Sequence, residues 1–166
     1  MSMDELEQFA KRFLTGRINW SAIDRKNGVI NFGNIVSLCL YRKPPFQVEL
    51  FIGPLDKSSF TEHKHPDVDV IEFALSGEAM LFINSASAHT EADVQQWVKG
   101  DVQTLPVRIK PSDWHSGFAN TPWAFLSIQH WLNNVQPTSV GLNWIGEPFS
   151  VEQSEMWNEP EHQMLA

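Results

Sequence analysis

The chain has six histidines in 166 residues, and two of them, His63 and His65, stand two apart in TEHKHPDVDVIEFALSGEAMLF (61–82). In a strand, side chains at i and i+2 share a face, roughly 6.5–7 Å apart along the chain. His63 and His65 therefore point one way and Lys64 the other. Two imidazoles so placed can close on one metal ion when a third ligand arrives from another strand. Without that third ligand they are a pair of surface histidines. Pro66 cuts the strand, and a second strand follows that turns at Ser76, Gly77 and Glu78. A third opens with KGDVQTLP (99–106), and a further histidine, His115, follows in DWHSGFAN (113–120).

This arrangement resembles the cupin superfamily. Its first motif reads H-x-H, a short gap, Glu, six residues, Gly; its second reads Gly, five residues, Pro, a gap, His, then Asn. His63, His65 and Gly77 match the first, and Gly100, Pro106, His115 and Asn120 match the second. The resemblance covers roughly residues 35–135 and implies an antiparallel jelly-roll β-barrel with a metal held inside by His63, His65 and His115. Two departures stand out. The gap from Pro106 to His115 is longer than the family's usual turn. The family's ligand Glu falls on Val70, which cannot bind a metal.

Carboxylates flank that valine at Asp69 and Glu72. Strand parity turns Asp69 outward and gives Glu72 the inward face of position 70, one pleat repeat further on. Glu72 is expected to be a pocket carboxylate beside the metal, ionised and acting in proton transfer. A β-bulge in PDVD would instead bring it onto the metal; the third alternative is an ordinary strand carboxylate. His89, in SASAHTEAD, is expected in an exposed loop and His162 in a tail. His130 is expected on a strand near the second motif, either lining the pocket or buried in the core. His65-Pro66-Asp67 also reads as H-x-D, the facial triad of iron oxygenases that use 2-oxoglutarate. Those enzymes need a downstream cation for the cosubstrate's carboxylate, and no Lys or Arg follows His115.

The elements that must carry these residues follow from periodicity. Leu6, Phe9, Phe13 and Leu14 share one helical face within residues 3–15, with Asp4, Glu5 and Glu7 in the first turn. Ser2 or Met3 would precede this helix and Gly16 would end it. VINF, IVSLCLY, FQVELFI, DVIEFALS, AMLFIN, VQTLPV and AFLSIQHWL then read as short strands between close turns. The expectation is one all-β domain over 1–166: a helix within 1–16, a barrel over 29–135 and a tail over 136–166.

Composition narrows the function classes. All 12 Lys and Arg lie in residues 1–110 and six of the 20 acidic side chains lie in the remainder; the net charge is −8, with no basic stripe for nucleic acid. No apolar run approaches the roughly 20 residues a membrane span needs. The N-terminus has no basic start followed by an apolar stretch, so a secretory signal is not expected. The single cysteine, Cys39, reads as a buried strand thiol and suits the cytoplasm.

The expected function is that of a metal-dependent cupin enzyme, with a non-haem Fe(II) dioxygenase favoured by the resemblance. A Zn, Mn or Ni isomerase, decarboxylase or cyclase, or a non-catalytic small-molecule binder, is the alternative. Seven tryptophans and eleven phenylalanines suggest an aromatic or apolar small substrate, with Trp114, Trp123 and Trp131 as pocket wall or as core. Arg42 and Arg108 would meet any anionic group of that substrate. The amphipathic helix and the aromatic tail suggest a homodimer.

Overall fold

The computed structural model describes residues 4–15, 29–32, 35–53, 58–77, 79–90, 107–134, 137–142, 147–148 and 162–163. Helix α1 (Glu5–Thr15) forms because its apolar residues recur at helical spacing, and it buries Leu6, Phe9, Ala10 and Phe13. Its N-cap is Asp4, one to two residues later than the sequence suggests. The Asp4 carboxylate accepts from Glu7 N at 2.9 Å and Glu7 returns the bond to Asp4 N at 3.2 Å, a reciprocal capping box. Asp4 thus lies ahead of the first turn rather than in it. Ser2, Met3 and Gly16 lie outside the described residues.

Among the described residues twelve strands follow: β1 (Val29–Phe32), β2 (Ile35–Lys43), β3 (Phe46–Gly53), β4 (Ser58–Lys64), β5 (Val68–Ser76), β6 (Ala79–Ile83), β7 (Ala86–Thr90), β8 (Val107–Ile109), β9 (His115–Ala119), β10 (Trp123–Trp131), β11 (Val140–Gly141) and β12 (His162–Gln163). The larger sheet runs β1-β2-β3-β10-β5-β8, with β12 also on β2; the smaller runs β11-β4-β9-β6-β7. Every pairing is antiparallel, and the two sheets form a jelly-roll barrel. His89 lies on β7, paired with Met80, rather than in a loop. His162 pairs with Arg42, so the expected tail adds β11 and β12 to the two sheets. Of the strand expected over VQTLPV (102–107) only Val107, the first residue of β8, is described; the rest of it, with Gly100 and Pro106, lies outside the described residues.

The two faces of the larger sheet have opposite chemistry. Leu40, Val48, Ile71, Phe73, Leu126 and Ile128 face α1 and close over it with Leu6, Phe9, Ala10 and Phe13. Phe9 stacks on Phe46 at 4.1 Å between ring centroids. Each such apolar side chain contributes about 1.5–3 kcal/mol when fully buried. Arg108, on β8, ties the helix entrance to the sheet: it bonds Asp69 at 2.6 Å and Asp4 at 2.8 Å. Asp69 therefore faces outward, as parity requires, and Arg108 is occupied on the side away from the barrel interior.

Gly77 makes the β5–β6 turn possible. Its φ is +68°, and a Cβ there would lie 2.4 Å from the Pro122 carbonyl oxygen. With β5 and β6 so joined, one strand enters each sheet, and the inward residues of β5 come to face the smaller sheet.

Candidate metal centre

His63 and His115 sit directly opposite one another on β4 and β9. Their ring centroids are 4.2 Å apart, and His65 lies 5.0 Å from His63 and 5.3 Å from His115. One ring nitrogen from each lies within 4.8 Å of the others, and among the described residues no carboxylate joins this group. The H-x-H spacing and the distant third histidine thus converge as the pattern suggests.

What the sequence does not disclose is how each ring is held. Nδ1 of His63 meets the Thr61 carbonyl at 2.6 Å, that of His65 the Thr138 carbonyl at 3.0 Å, and that of His115 the Asp113 carbonyl at 2.9 Å. A carbonyl only accepts, so an Nδ1 bonded to one carries the proton and the Nε2 of that ring is unprotonated; Ser139 Oγ, 3.2 Å from His65 Nδ1, shares the His65 contact. Burial is the first cause that holds all three imidazoles below their ordinary pKa. It acts on His65 to bring it to about 4, helped by His115, and on His63 well below 6.5, helped by His115 and His65. Three neutral rings with unprotonated Nε2 atoms are the protonation state a dication requires. The donor set fits a first-row metal.

Neighbouring loops fix those carbonyls. Asp67 accepts from Thr138 N at 3.0 Å and from Thr138 Oγ1 at 3.1 Å, which sets the carbonyl that takes His65. Both Asp67 oxygens are committed there, so the H-x-D reading has no carboxylate at the site. Asp113 accepts from Asn84 Nδ2 at 2.8 Å and from Lys110 N at 2.9 Å, fixing the loop before His115. Within the longer loop before His115, Ser112 N donates to the His65 carbonyl at 2.9 Å. Gly141, at φ +112°, lies opposite His63 on β11, where a Cβ would meet Trp114 at 2.8 Å and Glu62 O at 2.9 Å. No sequence signal short of the fold itself would have pointed to Thr138 or Gly141.

On the facing sheet Val70 packs with Val68, Ile109 and Trp131, and Ile83, the cross-strand partner of His115, closes on that cluster. The position of the family's ligand Glu is thus apolar floor. β5 pairs with β10 without interruption from Val68 to Ala74; the irregularity in this region lies in β4, between Phe60 and His63. Glu72 therefore keeps its inward place one repeat beyond Val70, outside the group of donor nitrogens. Burial, then the nearby charge of Glu49, push its pKa in the metal-free chain up to about 7. Glu72 is half-buried although it faces inward.

The remaining candidates lie elsewhere. His130 faces the helix side, stacked on Phe46 at 4.9 Å. Asn120 is exposed beyond the end of β9. Trp123 and Trp131 are buried, whereas Trp114 is half-buried with Lys64 Nζ 4.8 Å above its ring. Arg42 is buried and donates through Nε to Gln47 Oε1. Cys39 is a buried thiol, as its strand context suggests. No helix among the described residues is long and apolar enough to cross a membrane.

By sequence, the chain matches no protein-family model and no curated protein. By structure it is similar to KdgF from Halomonas sp., with a TM-score of 0.52 at 11% identity over 65% of this chain and 89% of that one. An RmlC-like cupin from Shewanella frigidimarina aligns with a TM-score of 0.51 at 10% identity, over 64% and 86% of the two chains. Pac13, described as a nucleoside dehydratase, gives 0.51 at 14% identity over 71% and 88%.

Replacing His63, His65 or His115 by Ala is expected to weaken Zn(II) binding by more than the roughly 10–100-fold that loss of an outer-shell partner costs. The far-UV spectrum should not change, because the core under α1 does not involve these rings. Calorimetric titration of the chelator-treated variants checks this, and full affinity in any one of them removes that histidine from the site.

Proposed function

We propose that this chain, which has the cupin fold, is a metal-dependent enzyme that places a small organic substrate against an ion held by His63, His65 and His115. The observation that carries this reading is the donor set: three rings, each with Nδ1 spent on a carbonyl, and no carboxylate among them. Neutral ligands leave the full dipositive charge of the ion for substrate. Bound there, a first-row dication supplies Lewis acidity and open positions for oxygen ligands, and Fe(II) adds reactivity toward dioxygen. Imidazole ligands suit several metals; the activity we favour, a non-haem Fe(II) dioxygenase, rests on the resemblance to small cupin dioxygenases.

The chain's own residues do the rest. Val70, Ile109 and Trp131 form an apolar floor on the sheet facing the histidines, joined by Ile83 from beside His115, suited to an apolar or aromatic substrate body. Glu72, at the edge of that floor, moves the proton. A second reading, a metal-dependent isomerase, decarboxylase or cyclase, is favoured by one observation: two carboxyls on the inner face, the buried Glu49 and the half-buried Glu72, are both raised to about 7, where proton transfer at neutral pH is most efficient. A reducing cytoplasmic setting fits the single buried thiol.

Fe(II)-reconstituted protein should consume oxygen with at least one member of a panel of diketones, catechols and hydroxy acids, and the Zn(II) form should not. Product formed by the Zn(II), Mn(II) or Ni(II) form without oxygen uptake would replace the first reading with the second. Absence of turnover by every metal form would leave a binding protein.

A homodimer is part of the same proposal. Phe82 and Phe118, on the outer face of the smaller sheet, are 36% and 44% exposed. Sedimentation at micromolar concentration should give twice the chain mass of 18.9 kDa; a monomer there contradicts it.

A further inference from the structure

The inner face of the larger sheet holds more polar groups than the histidine site uses. Cross-strand register sets Arg42, Gln47, Gln129, Val70 and Ile109 in one row, and Cys39, Glu49, Ser127, Glu72 and Val107 in the next. Two carboxylates thus share a row with only Ser127 between them. Their surroundings are unequal. Glu49 is 1% exposed and accepts three bonds: from Ser37 Oγ at 2.5 Å, from Gln47 Nε2 at 2.9 Å and from Gln129 Nε2 at 2.8 Å. Gln47 in turn accepts from Arg42, which brings a cation to the end of the chain of bonds. Trp131 Nε1 and Gln47 Nε2 hold the Gln129 carbonyl at 3.3 and 3.1 Å, so the amide cannot turn over without losing both.

Glu72 has none of this. Among the described residues no hydrogen-bond donor reaches its carboxylate, and the residue is half-buried. An anion with three donors and a guanidinium nearby is stabilised; an anion with no donor, one residue away from another anion, is not. The other charged and titratable groups do not reverse that order. Arg42 acts on Glu49, and Cys39 lies beyond Glu49 at the far end of the row. Asp69 and Arg108 are turned to the opposite face with Asp4. His63, His65 and His115 on the facing sheet are held neutral.

We propose that Glu49 and Glu72 hold one proton between them near neutral pH and that it resides on Glu72, so that Glu72 meets the ligand as a hydrogen-bond donor. The ligand it selects presents an oxygen acceptor, such as a carbonyl, enolate or carboxylate of a small molecule. Glu49 is then a positioning residue: it keeps Glu72 protonated without touching the ligand. Burial raises both carboxyls to about 7, opposed at Glu49 by its donors and reinforced at Glu72 by the charge of Glu49. The pair titrates as a unit. This deepens the functional reading above by naming what the ligand must offer. It rests on that reading for the cavity but not on the metal.

The test is infrared spectroscopy of the chelator-treated protein at about pH 7, where the pair shares one proton; at about pH 6 both raised carboxyls would carry one. A buried protonated-carboxyl band is expected in the parent, absent in Glu72→Gln, and shifted to a lower titration midpoint in Glu49→Gln. Acetylacetone, as a small diketone probe, should shift the band in the parent. A band that survives Glu72→Gln, the absence of a band, or a band indifferent to acetylacetone overturns the proposal. Because no metal is present, these outcomes leave the histidine site standing or falling separately.

A stability measurement covers the case in which Glu49→Gln fails to fold. Glu72 takes its proton at about 7 in the folded chain against 4.5 when exposed. Its contribution is therefore full below 4.5 and lost as pH rises through 7. Glu72→Gln should gain stability relative to the parent across that window; a constant difference overturns the assignment of the proton to Glu72.

Discussion

Helix α1 seals the apolar face of the larger sheet, and that seal decides which side chains can enter the barrel. Strand alternation allows only two faces. With Ile71, Phe73, Leu126, Ile128 and Val48 committed to Leu6, Phe9 and Phe13, the intervening residues must point between the sheets. Those residues are Val70, Glu72, Ser127, Gln129, Gln47 and Glu49, so the interior of the larger sheet is polar at its centre and apolar beside Val70 and Trp131. Burying such polar groups is tolerable because Glu49, Gln47, Gln129 and Ser37 satisfy one another. Glu72 is left out of that accounting, which marks it as the group with work to do.

The smaller sheet supplies the other wall by a different device. Its histidines are not positioned by packing alone but by backbone carbonyls from β4 itself, from the turn before β9 and from the segment leading to β11. A carbonyl partner fixes ring orientation and tautomer together, so a lone pair on each Nε2 is already present in the metal-free chain. Asp67, Asp113 and Asn84 extend this support by holding the loops that carry two of those carbonyls.

The grouping of the three histidines was legible in the sequence because a period of two places His63 and His65 on one face and because His115 completes a spaced motif. The fold was legible for a similar reason: short strands, close turns and one amphipathic segment leave few architectures. Glu49 was not. In FQVELFI, Gln47 and Glu49 alternate with Val48 and Leu50 as they would on a solvent-facing strand, and only the docking of α1 on the apolar face reveals that the polar face is inside. The capping residue was misplaced because Ser2 precedes two acidic residues that compete for the role, and Asp4 wins by pairing with Glu7. Thr138, Gly141 and the strand at His162 come from a segment with no period of its own; their places are set by contacts with β4 and β2 that only the folded chain contains.

The central claim is that the barrel presents three neutral imidazoles with their Nε2 atoms unprotonated before any ion arrives. Long-range nitrogen-15 correlation spectra of the chelator-treated protein at neutral pH read ring protonation and tautomer directly. The account predicts Nδ1–H tautomers for His63, His65 and His115, and a shift of all three Nε2 resonances on addition of one equivalent of Zn(II). An imidazolium or an Nε2–H tautomer at any of the three, or an Nε2 that ignores the metal, would contradict it.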